Sequence, residues 1–169
     1  MKQIRIVNYQ TPKHSSVYIK QKQYSVWLGN HTTNYFTNEK DALRFLAETN
    51  RFLNDCLHEL NYLYGIIFIE YRQIWFYTKG KENIEQSIKS CFNDADALFY
   101  KLTNKGQTIN GNAFVFNWII ALTETIGSAI ESIIDLYNDK KDFADLRRLK
   151  IFLRQIRSMK KDIESWGKL

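Results

Sequence analysis

The sequence predicts a mainly α protein with a minor β part. The expected architecture is a four-helix antiparallel bundle with one very long first helix, preceded by a small N-terminal β-hairpin or three-stranded element (α+β). Three observations carry this. Apolar residues recur at helical spacing through four segments after residue 38, the residues before it alternate with period two, and the helical segments are joined by short connections. The chain thus divides into an N-terminal β element over 1–37 and a helical bundle over 38–169. A chain of 169 residues buries roughly 70% of the surface its unfolded form exposes, enough to need neither metal nor disulfide.

In the β element, Ile4 and Ile6 alternate with Arg5 and Val7 until Thr11-Pro12-Lys13-His14 breaks the run. Val17 to Lys20 and Tyr24 to Leu28 form the expected hairpin around Gln21-Lys22-Gln23, and Thr33 to Phe36 supplies a third strand after the turn at Gly29-Asn30.

Asn38 suits the N-cap of the first helix, with Glu39 and Asp41 in the first turn where the helix dipole favours acids. Leu46, Leu53, Leu60, Ile67 and Ile74 then recur every seven residues, and Gly80 suits the left-handed position after a stop at Lys79. Unbroken, this helix spans about 40 residues and roughly 60 Å; Gly65 and the β-prone run Ile66-Ile67-Phe68-Ile69 mark where a break would fall. The second helix uses Ile84, Ile88, Cys91, Ala95, Leu98 and Leu102 and stops at Gly106. The third runs from near Asn112 to Tyr137 on Phe116, Ile119, Thr123, Ile126, Ile130 and Ile133. The fourth uses Leu146, Leu149, Leu153, Ile156 and Ile163, widened by Phe152, Met159 and Trp166, with Gly167 as its stop.

Charge is distributed basic, acidic, basic. Residues 1–38 hold five Lys/Arg and no acid, 39–139 hold nine against fourteen Asp/Glu, and 140–169 hold ten against four. The last surplus equals the whole net charge of +6, so it is the feature that points to a partner. In the heptad frame of helix four, Arg147, Lys150, Arg154, Arg157 and Lys161 line one flank over about 21 Å. Such a stripe tracks phosphates, or an acidic protein surface. Helix three carries Glu124, Glu131 and Asp135, which in an antiparallel pair lie against those cations, and three acids leave part of the stripe unmatched. A solvated or internally paired flank therefore stands beside the nucleic-acid reading. Lys20 and Lys22, with Tyr18, Trp27 and Tyr35 close by, make the hairpin a second candidate surface, because rings stack on bases while lysines meet phosphates. The stretch Tyr35-Phe36-Thr37-Asn38-Glu39-Lys40-Asp41-Ala42-Leu43, after the strands before it, loosely resembles the small three-stranded AP2-like domains, which read DNA from the sheet face, some of them at the N-terminus of phage-type integrases. The sheet here lacks the arginines those domains use, and no recombinase catalytic region follows.

Chemistry is mostly excluded. There is no Walker loop, dinucleotide fingerprint or nucleophile elbow. Asp55-Cys56-Leu57-His58 has no second carboxylate–imidazole pair to complete a di-metal bundle site, so no metal and no cofactor are expected. Arg51 and His58, seven residues apart, resemble the pair that cleaves RNA in the HEPN ribonucleases, which would make the protein a metal-independent ribonuclease. In that family a polar residue usually follows the arginine and the pair lies on a late helix, whereas here Phe52 follows on the first helix; an Arg51–Asp55 pair at i,i+4 explains the same residues.

The two cysteines, Cys56 and Cys91, read as small apolar residues in a reducing compartment. The start lacks the apolar core of a secretory signal, and the most apolar run, Ala113 to Ile134, contains Glu124 and Glu131; a cytoplasmic protein with no membrane partner is expected. The leading expectation is a non-enzymatic binding protein docking on nucleic acid or a nucleoprotein complex. The alternative is a protein–protein adaptor or inhibitor, or a homodimer, using the aromatic residues of helix one: Tyr62, Tyr64, Phe68, Tyr71, Trp75, Phe76 and Tyr77. Phe, Tyr, Met, Ile, Asn and Lys outnumber Gly, Ala, Arg and Pro by 72 to 24, the signature of an AT-rich genome, common among phages and mobile elements.

Overall fold

The computed structural model describes residues 6–10, 23–28, 33–74, 78–103, 115–138, 143–166 and 168. It is mainly helical, with four helices packed against one another: α1 (Glu39–Ile74), α2 (Glu82–Thr103), α3 (Val115–Asn138) and α4 (Phe143–Ser165). Ahead of them lie three short strands, β1 (Ile6–Gln10), β2 (Gln23–Trp27) and β3 (Thr33–Phe36), in the antiparallel order β1-β2-β3. β1 takes one edge of β2, with Ile6 opposite Val26 and a register irregularity before Tyr9, and β3 takes the other, with Tyr24 opposite Phe36. The expected Val17–Lys20 strand lies outside the described residues. Val26 and Leu28 are fully buried, and Phe36 meets Phe45 of α1 with ring centroids 5.3 Å apart.

α1 starts as its first residues dictate. Asn38 Oδ1 accepts the Asp41 backbone N–H at 2.8 Å, and Asn38 Nδ2 donates to the Asp41 carboxylate at 2.5 Å, a reciprocal cap that satisfies donors the helix leaves orphaned. The helix then runs 36 residues without interruption at Gly65. Its buried positions Ala42, Leu46, Thr49, Leu53, Cys56, Leu60, Leu63 and Ile67 alternate steps of four and three, a mean period of 3.5 that keeps one seam facing its neighbours along the whole length. Beyond it, Gly80 adopts φ +83°, the left-handed conformation glycine takes without a Cβ penalty.

Ring contacts and ion pairs fix how the helices lie. Tyr64 and Phe68 of α1 meet Phe92 of α2, and Tyr64 also meets Phe99, so α1 and α2 are antiparallel. Thr49 near the start of α1 accepts a hydrogen bond from Trp166 Nε1 at 2.9 Å while Glu70 near its end meets Arg148, so α4 is antiparallel to α1 as well. Lys160–Glu124 and Arg157–Glu131 set α4 antiparallel to α3. α3 is the central helix. Phe116, Ile119, Leu122, Ile126, Ile130, Ile133 and Leu136 are all within 2% of full burial, on faces too broad for a single seam, as a helix surrounded by partners requires. Its only charges point outward beside α4. No helix among the described residues is long and apolar enough to cross a membrane.

Candidate functional site

Seven cations stand on α4 between Arg147 and Lys161, and the structure sorts them by partner. Arg157 donates to Glu131 at 2.5 Å, and Lys160 to Glu124 at 2.6 Å with Glu164 3.6 Å away. The hydrogen bond to Glu124, outweighing some desolvation, raises the Lys160 pKa above the ordinary lysine value. Arg148 turns the other way, to the carboxylate of Glu70 and to Asp145 at 3.5 Å. Arg147, Lys150, Arg154 and Lys161 are exposed and form no ion pair among the described residues.

Of the five cations expected on the flank, then, Arg157 is neutralised and four stay open. At 3.6 residues per turn, these four project within a sector of about 60°. Asp135 reaches none of them: it shares an open groove of ≈ 280 Å³ with Lys150 and Arg154 but pairs with neither. Lys20 and Lys22 lie outside the described residues.

One residue of the flank carries no charge and was absent from the expectation. Ile151 is 45% exposed, and with Leu146, Arg147, Lys150 and Arg154 it lines an open groove of ≈ 440 Å³. Its position off the apolar seam, one turn from Arg147 and Arg154, was the available signal. The flank thus offers cations around an exposed aliphatic side chain.

Other candidates fare differently. Arg51 and His58 both lie on the exposed side of α1, and no ion pair joins Arg51 to Asp55; the explanation by an i,i+4 pair does not hold. Among the described residues no three His, Cys, Asp or Glu side chains gather to hold a metal ion. Burial, reinforced by Glu59, Asp55 and Asp162, pushes the Cys56 thiol up to about 12, and burial with Asp94 also raises Cys91. Neither is a reactive thiolate.

The aromatic half of α1 splits in two. Tyr64, Phe68 and Tyr71 pack on Phe92, and the Tyr64 hydroxyl donates to Asp96 at 2.5 Å. Tyr62 remains 66% exposed and Ile69 58%. Trp75, Phe76 and Tyr77 lie outside the described residues.

No family model matches the chain, and none of the curated proteins or solved structures compared with it matches either.

Proposed function

We propose that the protein is a non-enzymatic binding protein that docks on nucleic acid, free or within a nucleoprotein complex, through the outward flank of α4. The observation that carries this reading is the set of four exposed cations, Arg147, Lys150, Arg154 and Lys161, held on one side of a helix with no carboxylate among the described residues paired to them. The reading is specific about scale. Four phosphate contacts give a log–log salt slope near −3.6, so a fourfold rise in salt weakens binding ~150-fold. Titration of fluorescent single-stranded and duplex oligonucleotides at several salt concentrations tests it, and absence of binding at low salt would reject it. Ile151, ringed by the same cations, supplies an apolar contact that a purely electrostatic face lacks.

A second reading is favoured by a separate observation, the exposure of Tyr62 and Ile69 on the outer side of α1. On that reading the protein is an adaptor whose contact surface is this face. Capture of a nuclease-resistant protein partner that Tyr62→Glu abolishes supports it.

A further inference from the structure

The four open cations of α4 are unevenly spaced, and the spacing fits one shape of ligand better than another. At 1.5 Å per residue, Lys150 stands about 4.5 Å and Arg154 about 10.5 Å beyond Arg147, so three charges crowd one end. Lys161 stands alone, about 10.5 Å past Arg154. The cations that fall between them in sequence are spent internally, Arg157 on Glu131 and Lys160 on Glu124. The residue facing outward in the gap is Ser158, short, neutral and exposed. The carboxylates of α4 leave the row alone. Asp145 meets Arg148 at 3.5 Å, Glu164 meets Lys160 at 3.6 Å, and Asp162 lies about 100° round the helix from Lys161, toward Cys56 of α1. Between Arg147 and Lys161 the one aromatic ring is Phe152, half-buried against the core.

We propose that α4 lies across one groove of double-stranded DNA and holds phosphates of both strands, without reading base sequence. The inference rests on the nucleic-acid reading of this flank and names the form of nucleic acid it takes. A single strand presents one unbroken row of phosphates, and a two-turn gap in the charges wastes contacts with it. A duplex beneath a straight helix presents two rows, with a groove of about 6 or about 12 Å between them. Arg147, Lys150 and Arg154 meet one row and Lys161 meets the other, with Ser158 over the groove. Proteins that hold single strands add rings on which bases stack, whereas the one ring of this stretch packs on the core. The groove floor lies about 7.5–8.5 Å down, far beyond a serine hydroxyl, and the longer side chains on either side are engaged on phosphates. Base edges therefore go unread.

Fluorescence anisotropy on the full chain compares a labelled DNA duplex with each of its separated strands over a range of salt. The duplex binds more tightly, with a log–log slope of about −3.6 from four contacts, against about −2.1 from three contacts on a strand. Ser158→Lys with Lys161→Ser exchanges two exposed residues, keeps the net charge and turns the broken row into a nearly even one. Its duplex slope flattens to about −2.7 as the second row is lost, while its strand slope steepens to about −2.8. Duplexes of unrelated sequence bind the wild type alike, without the roughly tenfold differences per base pair that base reading creates. Strands bound as tightly as the duplex, a variant that keeps the duplex slope near −3.6, or affinity that follows base sequence overturns the proposal and leaves the nucleic-acid reading standing. A chain that binds neither form at low salt overturns both.

Discussion

Removing two open cations from α4 should halve the salt sensitivity of nucleic-acid binding, and removing a neutralised pair should leave it unchanged. Lys150 and Arg154 lie one turn apart on the exposed flank without an ion pair among the described residues, whereas Arg157 is tied to Glu131 at 2.5 Å. Each cation that meets a phosphate contributes about −0.9 to the log–log slope. Lys150→Gln with Arg154→Gln therefore moves the slope from about −3.6 to about −1.8, and a fourfold rise in salt then weakens binding ~12-fold rather than ~150-fold. Glu131→Gln with Arg157→Gln removes one charge of each sign, keeping the net charge of the flank and hence the slope. Both variants alter exposed positions, where an ion pair contributes about 0–1 kcal/mol to stability, so both should fold. Fluorescence anisotropy with a labelled oligonucleotide at four or more salt concentrations gives the slopes directly. Equal slopes for the wild type and the Lys150→Gln, Arg154→Gln variant would refute the assignment of these cations to phosphates. A drop of about 0.9 in the control's slope would show that Arg157 leaves Glu131 to bind, contrary to the paired arrangement.

Three further outcomes are expected. Arg148→Ala leaves the buried Glu70 carboxylate without its counter-ion and should cost about 3 kcal/mol in urea denaturation, while Glu70→Leu with Arg148→Met should restore most of that stability. Gly65→Ala should raise stability by about 1 kcal/mol, because the added methyl meets nothing and alanine favours the helix; a loss in thermal denaturation would show a contact that the monomer lacks. Burial and then the hydrogen bond to Asp96 raise the Tyr64 pKa above its ordinary value of 10, so the neutral phenol is favoured in the folded state. Its contribution is complete below pH 10 and is lost as the pH climbs past that value, because the unfolded chain ionises first. Tyr64→Phe should flatten the alkaline limb of stability against pH, and an unchanged limb would exclude this tyrosine as its source.

The helices were legible because each carries a repeat that only a helix can bury. The seam of α1 keeps its period from Ala42 to Ile74, and no turn chemistry interrupts it. The cap at Asn38 was equally legible, being local: an asparagine followed three residues later by an aspartate specifies both hydrogen bonds. Phe92 was not. The expected seam of α2 passes through Cys91, yet Phe92 is 5% exposed and holds the rings of Tyr64, Phe68 and Tyr71. α2 serves two neighbours, α3 on the aliphatic side and the aromatics of α1 on the other, and a single stripe describes only the first.

The candidate site shows where such reasoning stops. Heptad position places Arg157 and Lys150 on the same flank, and both are equivalent by that measure. They differ only in axial level against α3. Glu131 is level with Arg157, while Asp135 comes into the groove beside Lys150 and Arg154 without closing on either. A few ångströms of translation between two helices decide which positive charge is spent internally and which faces outward. Ile126, Ile130 and Ile133 share one apolar core with Leu149, Leu153 and Ile156, and side-chain packing of this kind sets the translation between neighbouring helices. Apolar packing thus selects the electrostatic surface: a core substitution that slides α4 along α3 by one turn would exchange the free and the neutralised cations without altering any charge in the sequence.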